Sequence, residues 1–305
     1  MDRAAIAPSL VSRLIADQFP QWAHLPVTPV EVDGSDNRTF RLGDEMSVRL
    51  PAGDEYVPQV DKEHRWLPRF AAALPVAVPA PLAKGAPGCG FPRPWSVYRW
   101  LRGVPAHVAA IPRPERFALD LAEFLLALQR IDPSGGPPPG EHNFFRGAPL
   151  AVYDGQTRTA IEDLRGEIDG RAATELWGAA LASTRHAESV WVHGDITPSN
   201  LLVEAGGLGA VIDFGCCAVG DPACDLTIAW TFFTGNSRAA FHDAIAADDG
   251  TWARSRGWAL WKGLITLRNS LQNPAELGLR EKRFGWRSTA LHVVEDVLDE
   301  HRRSV

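Results

Sequence analysis

The sequence predicts an α+β fold of two unequal lobes, a small strand-rich one followed by a larger, mostly helical one. Three observations carry this. Apolar residues alternate at the strand period through RTFRLGDEMSVRLP, residues 38–51. Beyond about residue 103 they recur at the helical period, as in Phe117, Leu121, Phe124, Leu125 and Leu128. Inside that helical half one stretch, VHGDITPSNLLVEAGGLGAVIDFG at 192–215, returns to short apolar runs broken by glycines. At 305 residues the chain is long enough for two domains, and the expected division is 1–98, a connector at 99–103, and 104–305.

Each element follows in order. Leu10, Val11, Leu14, Ile15 and Phe19 mark a helix over 8–19 that stops before Pro20. Phe40 and Leu42, then Met46, Val48 and Leu50, flank a Gly-Asp turn and make an antiparallel hairpin, with Ser47 and Arg49 on the face opposite the apolar row. A helix over 57–74 is disturbed by Pro68. Pro, Gly and Ala crowd 75–94 and suggest loops before a strand at WSVYRW. DPSGGPPPGEHNF, 132–144, is a long surface loop, and helices run to about 186. Leu201–Glu204, a Gly-Gly turn and Ala210–Asp213 form a second hairpin, and helices resume to the end.

Composition excludes several function classes. The 45% hydrophobic and 22% charged fractions are those of a packed globular chain. A net charge of -6 supplies no basic face, so neither nucleic acid nor an anionic membrane is an expected partner. No run of eighteen apolar residues exists, and the opening MDRAAIAPSLVSRLI lacks the basic region and apolar core of a secretory signal. Cys89, Cys216, Cys217 and Cys224 have no framework spacing, as expected of a reduced, cytoplasmic protein, and the three clustered ones lack a C-x-x-C pair, so they are expected as buried thiols rather than zinc ligands.

The chemistry concentrates in 191–226. Asp195 and Asp213 each follow an apolar run, and folding the second hairpin carries Asp213 toward the loop that holds Asp195 and Asn200. A carboxylate and an amide oxygen are hard ligands, suited to a magnesium ion that shares its other positions with water and phosphate oxygens. Asp195 is then left to accept a substrate hydroxyl's proton and aim its oxygen at phosphorus. His193, just before Gly194, reads as a hydrogen-bonded structural histidine rather than a base.

H-G-D-x-x-x-x-N at His193 to Asn200, I-D-F-G at Ile212 to Gly215 and G-D-P-x-x-D-L at Gly220 to Leu226 together resemble the aminoglycoside phosphotransferase family. The resemblance implies small-molecule kinases with a bilobal protein-kinase-like fold, and it covers most of the chain. It implies Asp195 as catalytic base, Asn200 and Asp213 as Mg2+ ligands, and Asp225 as a buried aspartate bracing the catalytic loop. Asp221 lines the substrate side or caps the helix after Pro222. The implied reaction moves the γ-phosphate of ATP or GTP to a hydroxyl of a small molecule such as an aminoglycoside antibiotic. Choline, homoserine, sugar derivatives and macrolides are alternative acceptors, and a non-catalytic nucleotide-binding module is the rival class.

The nucleotide half departs from the protein-kinase pattern. Arg49 stands where a strand lysine pairs with a helix glutamate, here Glu63, and its fork differs from an ammonium; the alternative is a surface ion pair. Gly34, Ser35, Asp36 and Asn37 expose main-chain N–H groups to a phosphate or form a plain hairpin turn. Tyr98 to Gly103 resembles the interlobe hinge, with adenine or guanine on main-chain groups of about Arg99 and Leu101, and Trp95 and Trp100 stack or pack.

Only Cys216 to Gly220 separate the DFG and GDP motifs, too few for a peptide-docking activation segment, and Gly194 replaces an arginine. The acceptor must therefore meet the helical half. A polycation calls for acids, with Asp163, Glu167, Glu276, Glu281, Glu295, Asp296, Asp299 and Glu300 as candidates, most of them solvated helix faces. Trp252, Trp258 and Trp261 line a pocket or fill the core.

Overall fold

The computed structural model describes residues 3–30, 34, 36–183, 188–272 and 286–304. Helix α1 (Pro8–Gln18) precedes strands β1 (Val27–Pro29), β2 (Asn37–Leu42) and β3 (Met46–Pro51), helix α2 (Val57–Ala71), and strands β4 (Pro81–Gly85) and β5 (Trp95–Arg99). The five strands form one antiparallel sheet in the order β1-β2-β3-β5-β4. The alternation decides its faces. Phe40, Leu42, Val48, Leu50 and Val97 are fully buried in one cluster with Leu10, Val11, Leu14 and Ile15 of α1. Ser47 and Arg49 take the other face, and Arg49 meets Glu63 of α2 there.

Helix α2 runs straight through Pro68, although proline removes a helical hydrogen bond. Burial of Trp66, Leu67 and Phe70 on one face offsets that loss, and the helix ends three residues later. Strand β4 lies where only loops were expected. It is an edge strand that starts on Pro81, the place a sheet tolerates proline. Gly85 has its own reason: a Cβ there would come within 2.0 Å of the Trp95 ring, so the glycine lets the edge close over a buried indole.

The helical part begins after β6 (Val104–Pro105) with α3 (Pro114–Arg130), α4 (Asp154–Asp163) and α5 (Gly170–Ala182). Strand β7 (Val190–Val192), the hairpin β8 (Leu201–Glu204) and β9 (Gly207–Val211), and β10 (Ala218–Gly220) follow. They make two small sheets, β6-β8-β9 and β10-β7. The hairpin differs in detail from expectation. Its turn is Ala205-Gly206, both left-handed at φ 51° and 81°, and Gly207 already belongs to β9. Helices α6 (Ile228–Thr231), α7 (Gly235–Ile245), α8 (Asp249–Gln272) and α9 (Trp286–Ser304) close the chain. No helix among the described residues is long and apolar enough to cross a membrane.

The main core packs α2, α3, α5, α8 and α9 around the small sheets. Trp191 of β7 sits at its centre, with ring centroids 4.7 Å from Trp66 and 4.9 Å from Phe70. Phe214 stands 4.6 Å from the His193 ring and 5.6 Å from Phe70, so the core reaches the polar loops directly. Because Trp191 is fully buried and makes both contacts, Trp191→Ala should lower unfolding free energy by about 3–5 kcal/mol in a denaturant titration.

Candidate active site

Asp195 and Asn200 share one loop between β7 and β8. The Asn200 Nδ2 donates to the Asp195 main-chain oxygen at 2.9 Å and to its Oδ2 at 3.1 Å. The Ile212 N–H donates to the Asn200 carbonyl at 2.9 Å, which brings the next residue, Asp213, beside that loop. Asp213 adopts a left-handed φ of 69°, uncommon for a residue with a Cβ and a local strain of the kind found at functional sites.

Buried groups fix the loop. Asp225, 1% exposed, accepts the N–H of His193 and of Gly194, each at 2.7 Å. Burial raises its pKa, and the lowering effects of His193 and the two N–H groups do not overcome that. His193 accepts the Asp195 N–H at Nδ1, 3.2 Å, and faces the Ile212 carbonyl with Nε2 at 3.0 Å. One ring thus ties the loop of Asp195 to the strand end before Asp213.

From the N-terminal sheet Arg49 reaches both Glu63, at 3.2 Å, and Asp213, at 2.8 Å. Glu63 is 4% exposed and also accepts from the Tyr98 hydroxyl. This is a largely buried network rather than a surface pair. Burial works against the Arg49 charge, but Glu63 and Asp213 outweigh it and raise its pKa.

The remaining sequence candidates are placed as follows. Gly34 is exposed, and its carbonyl accepts from Arg3; Ser35 lies outside the described residues. The Arg99 N–H is taken by the Ala80 carbonyl at 2.9 Å, and Leu101 follows in the irregular link to β6. Trp95 is core, whereas Trp100 carries the Arg41 guanidinium 4.0 Å above its ring. Asp221 caps the turn at Pro222 through the Ala223 N–H and is paired with Arg254 at 2.5 Å, both side chains under a tenth exposed. Cys216, Cys217 and Cys224 are buried thiols whose pKa values burial pushes up, Cys217 to about 12.

Two cations near Asp195 were not singled out from the sequence. Lys262 of α8 lies 3.2 Å from the Asp195 Oδ1, and Arg146 lines the same cleft with Ile196, Thr227, Trp258 and Trp261. Burial would raise the Asp195 pKa, but Lys262, Arg146 and His193 outweigh it and hold the carboxyl below its usual range. The only signal was spacing: Trp258, Trp261 and Lys262 are at i, i+3 and i+4 on one face of a helix. Arg146 had none.

The model of the phosphotransferase enzyme family matches residues 27–261, more than half of the chain. The chain belongs to the phosphotransferase enzyme family. Solved structures share the fold of this phosphotransferase. The GDP complex of an aminoglycoside 2'-phosphotransferase-IIIa variant superposes with a TM-score of 0.73 at 19% identity, covering 96% of this chain and 98% of that one. A kanamycin and GDP complex gives 0.69 at 18% identity, with 95% and 98% covered. Macrolide 2'-phosphotransferase from Brachybacterium faecium gives 0.61 at 21% identity, with 94% and 97% covered. No curated protein matches the sequence significantly. The expected two-part, kinase-like α+β architecture is therefore the observed one.

Gly194 has φ +82°, and a Cβ there would lie 2.4 Å from the Cys216 carbonyl oxygen, so Gly194→Ala cannot be seated without moving the loop. It should lower kcat at least tenfold in a coupled nucleoside-diphosphate release assay while circular dichroism stays close to that of the parent.

Proposed function

We propose that this phosphotransferase moves the γ-phosphate of ATP or GTP to a hydroxyl of a small molecule, with magnesium. The observation that carries the reading is the convergence of Asp195, Asn200 and Asp213 through the Asn200 side chain and the Ile212–Asn200 main-chain bond. Neighbours of the same fold are solved with GDP or ADP, which supports a nucleotide co-substrate. The division of labour follows the chain: 1–98 holds the nucleotide, 99–103 is the hinge, and 104–305 carries the reacting groups and the acceptor.

The residues fit a divalent ion. Among the described residues both side-chain hydrogen bonds of Asn200 use Nδ2, which leaves its Oδ1 as a ligand atom, and Asp213 is engaged only through Oδ1, by Arg49. Two hard oxygens suit magnesium, whose shell is completed by water and phosphate oxygens, and the bound ion supplies charge neutralisation at the phosphates. Arg49, fixed by Glu63, contributes a permanent cation on the nucleotide side, and Gly34 offers its main-chain N–H to the nucleotide.

Asp195 orients the acceptor hydroxyl. As the acceptor oxygen bonds to the γ-phosphorus, the bond from that phosphorus to the β–γ bridging oxygen breaks, the diphosphate leaves with the electron pair, and the hydroxyl proton passes to Asp195. The transition state is loose, so late proton acceptance suffices and a carboxylate of depressed pKa serves. General-base action of this sort is worth a factor of ~10² to 10⁴. Main-chain clamps from Asp225 and His193 keep the loop in place between turnovers.

Two outcomes test the assignment. Asp195→Ala should lower kcat ~10²-fold or more and leave magnesium-dependent nucleotide binding within a factor of about three by calorimetry, whereas Asp213→Ala should abolish the magnesium dependence of binding. Equal losses of nucleotide affinity would contradict it. The second is a pH profile. A depressed folded pKa keeps Asp195 ionised until pH falls below the usual carboxylate range, so the acid limb of kcat/KM lies low. Lys262→Met removes the foremost lowering charge, and that limb should move to higher pH.

A further inference from the structure

The cleft beside Asp195 is rich in donors and poor in acceptors. Among its lining residues Asp195 is the sole carboxylate, against the two cations Arg146 and Lys262. Among the described residues Arg146 has no carboxylate within ion-pair distance; its guanidinium lies 4.6 Å above the Trp261 ring and 5.9 Å from that of Trp258. Trp258 also lines the cleft, is 2% exposed, and its buried indole N–H has no partner among the described residues. A buried donor of this kind is costly to leave unmet.

The arm that carries Arg146 is built rather than incidental. Phe144 and Phe145 both hold left-handed φ, 52° and 55°, which bulky residues adopt only when surroundings enforce it. The fully buried Asn143 enforces it by donating to the Arg146 carbonyl at 2.9 Å and to the Cys216 carbonyl at 3.2 Å, and Tyr153 donates to the Phe144 carbonyl. The same Tyr153 stacks on Trp261 at 4.2 Å, and Trp261 donates to Gln156 at 2.8 Å, so the ring under the guanidinium is itself fixed. Gly194 makes the approach possible: a Cβ there would lie 3.1 Å from that of Arg146.

Among the described residues, the acids named as candidates for a polycation are paired with arginines or line another cleft. Asp163 is paired with Arg268 at 2.6 Å, Asp296 with Arg238, Asp299 with Arg302 at 2.7 Å and Glu300 with Arg256 at 3.1 Å. Glu167 and Glu295 line a different cleft, with Asp169 and Arg302, that does not include Asp195. Glu276 and Glu281 lie outside the described residues.

We propose that the acceptor is a hydroxyl compound carrying an oxyanion, a carboxylate or a phosphate ester, bound by the stacked guanidinium of Arg146 with its hydroxyl toward Asp195, rather than a polycation. The inference rests on the phosphotransferase reading for the hydroxyl and on the cleft alone for the charge. A planar guanidinium fixed on an indole matches either oxyanion by two parallel bonds. Lys262 is already paired with Asp195 at 3.2 Å, so Arg146 is the cleft cation left for the oxyanion.

Four probes that differ mainly in charge test this on the full chain with a non-hydrolysable nucleotide and magnesium: para-hydroxymethylbenzoate, para-hydroxymethylphenyl phosphate, benzene-1,4-dimethanol and para-hydroxymethylbenzylamine. Calorimetry should show at least one anion bound tenfold or more tighter than the amine, the neutral diol between, and the better anion names the oxyanion. Arg146→Gln should collapse the anion-to-amine ratio to within about threefold, Arg146→Lys should retain part of it, and the nucleotide Kd should separate this from a contact to the γ-phosphate. Amine binding equal to or tighter than both anions, no binding of any probe at millimolar concentration, or a variant that shifts the nucleotide Kd and leaves the ratio intact overturns the inference. Failure of the wild-type chain to bind nucleotide with magnesium overturns the phosphotransferase reading instead, and leaves the charge preference to be read from probe binding alone.

Discussion

The contact between Arg49 and Asp213 joins groups 164 positions apart in sequence, one on the N-terminal sheet and one beside the catalytic loop. The Arg49 guanidinium is largely withdrawn from water and needs opposite charge nearby, which the half-buried Asp213 and the buried Glu63 on α2 supply. This constraint organises the site. Strand β3 must put Arg49 on its polar face, α2 must carry Glu63 toward the sheet, and the β8–β9 hairpin must deliver Asp213 at a left-handed corner. On the proposed reaction, Asp213 would hold the metal and Arg49, still paired with Glu63, would face the phosphates.

A second constraint is the rigidity of the loop that carries Asp195. Its hydrogen bonds to Asp225 and His193 are main-chain bonds to buried side chains, which hold position irrespective of what enters the cleft. Phe214 and Trp191 extend that support into the apolar core, so packing energy stabilises the geometry of a polar site. Around the rigid base, the two cations at the cleft come from other segments, Lys262 on α8 and Arg146 on a strained arm.

Much of this was legible in the sequence because it rests on local rules. Period-two alternation at 40–50 fixed both hairpin and faces, helical periodicity gave α1, α3 and α9, and the spacing from Asp195 to Asn200 to Asp213 follows from a single loop and hairpin. What was missed is non-local. Strand β4 is short, begins on proline and pairs only because Gly85 admits the Trp95 ring, which no pattern within 75–94 discloses. The helix around Pro68 was legible, and burial of Trp66, Leu67 and Phe70 keeps it continuous there. The ion pairs of Asp163, Asp296, Asp299 and Glu300, and the placing of Arg146 and Lys262 beside Asp195, are likewise set in three dimensions and carry no local pattern.

The central claim is that an ion and a terminal phosphate sit between Asn200 and Asp213 within reach of Asp195. A crystal of the chain grown with manganese and a non-hydrolysable nucleotide tests it by anomalous scattering at the manganese edge. The account predicts one strong peak about 2.0–2.3 Å from the Asn200 Oδ1 and a carboxylate oxygen of Asp213, with Arg49 released from Asp213. A peak ligated by neither residue, with the Arg49–Asp213 contact intact beside a bound nucleotide, would contradict it.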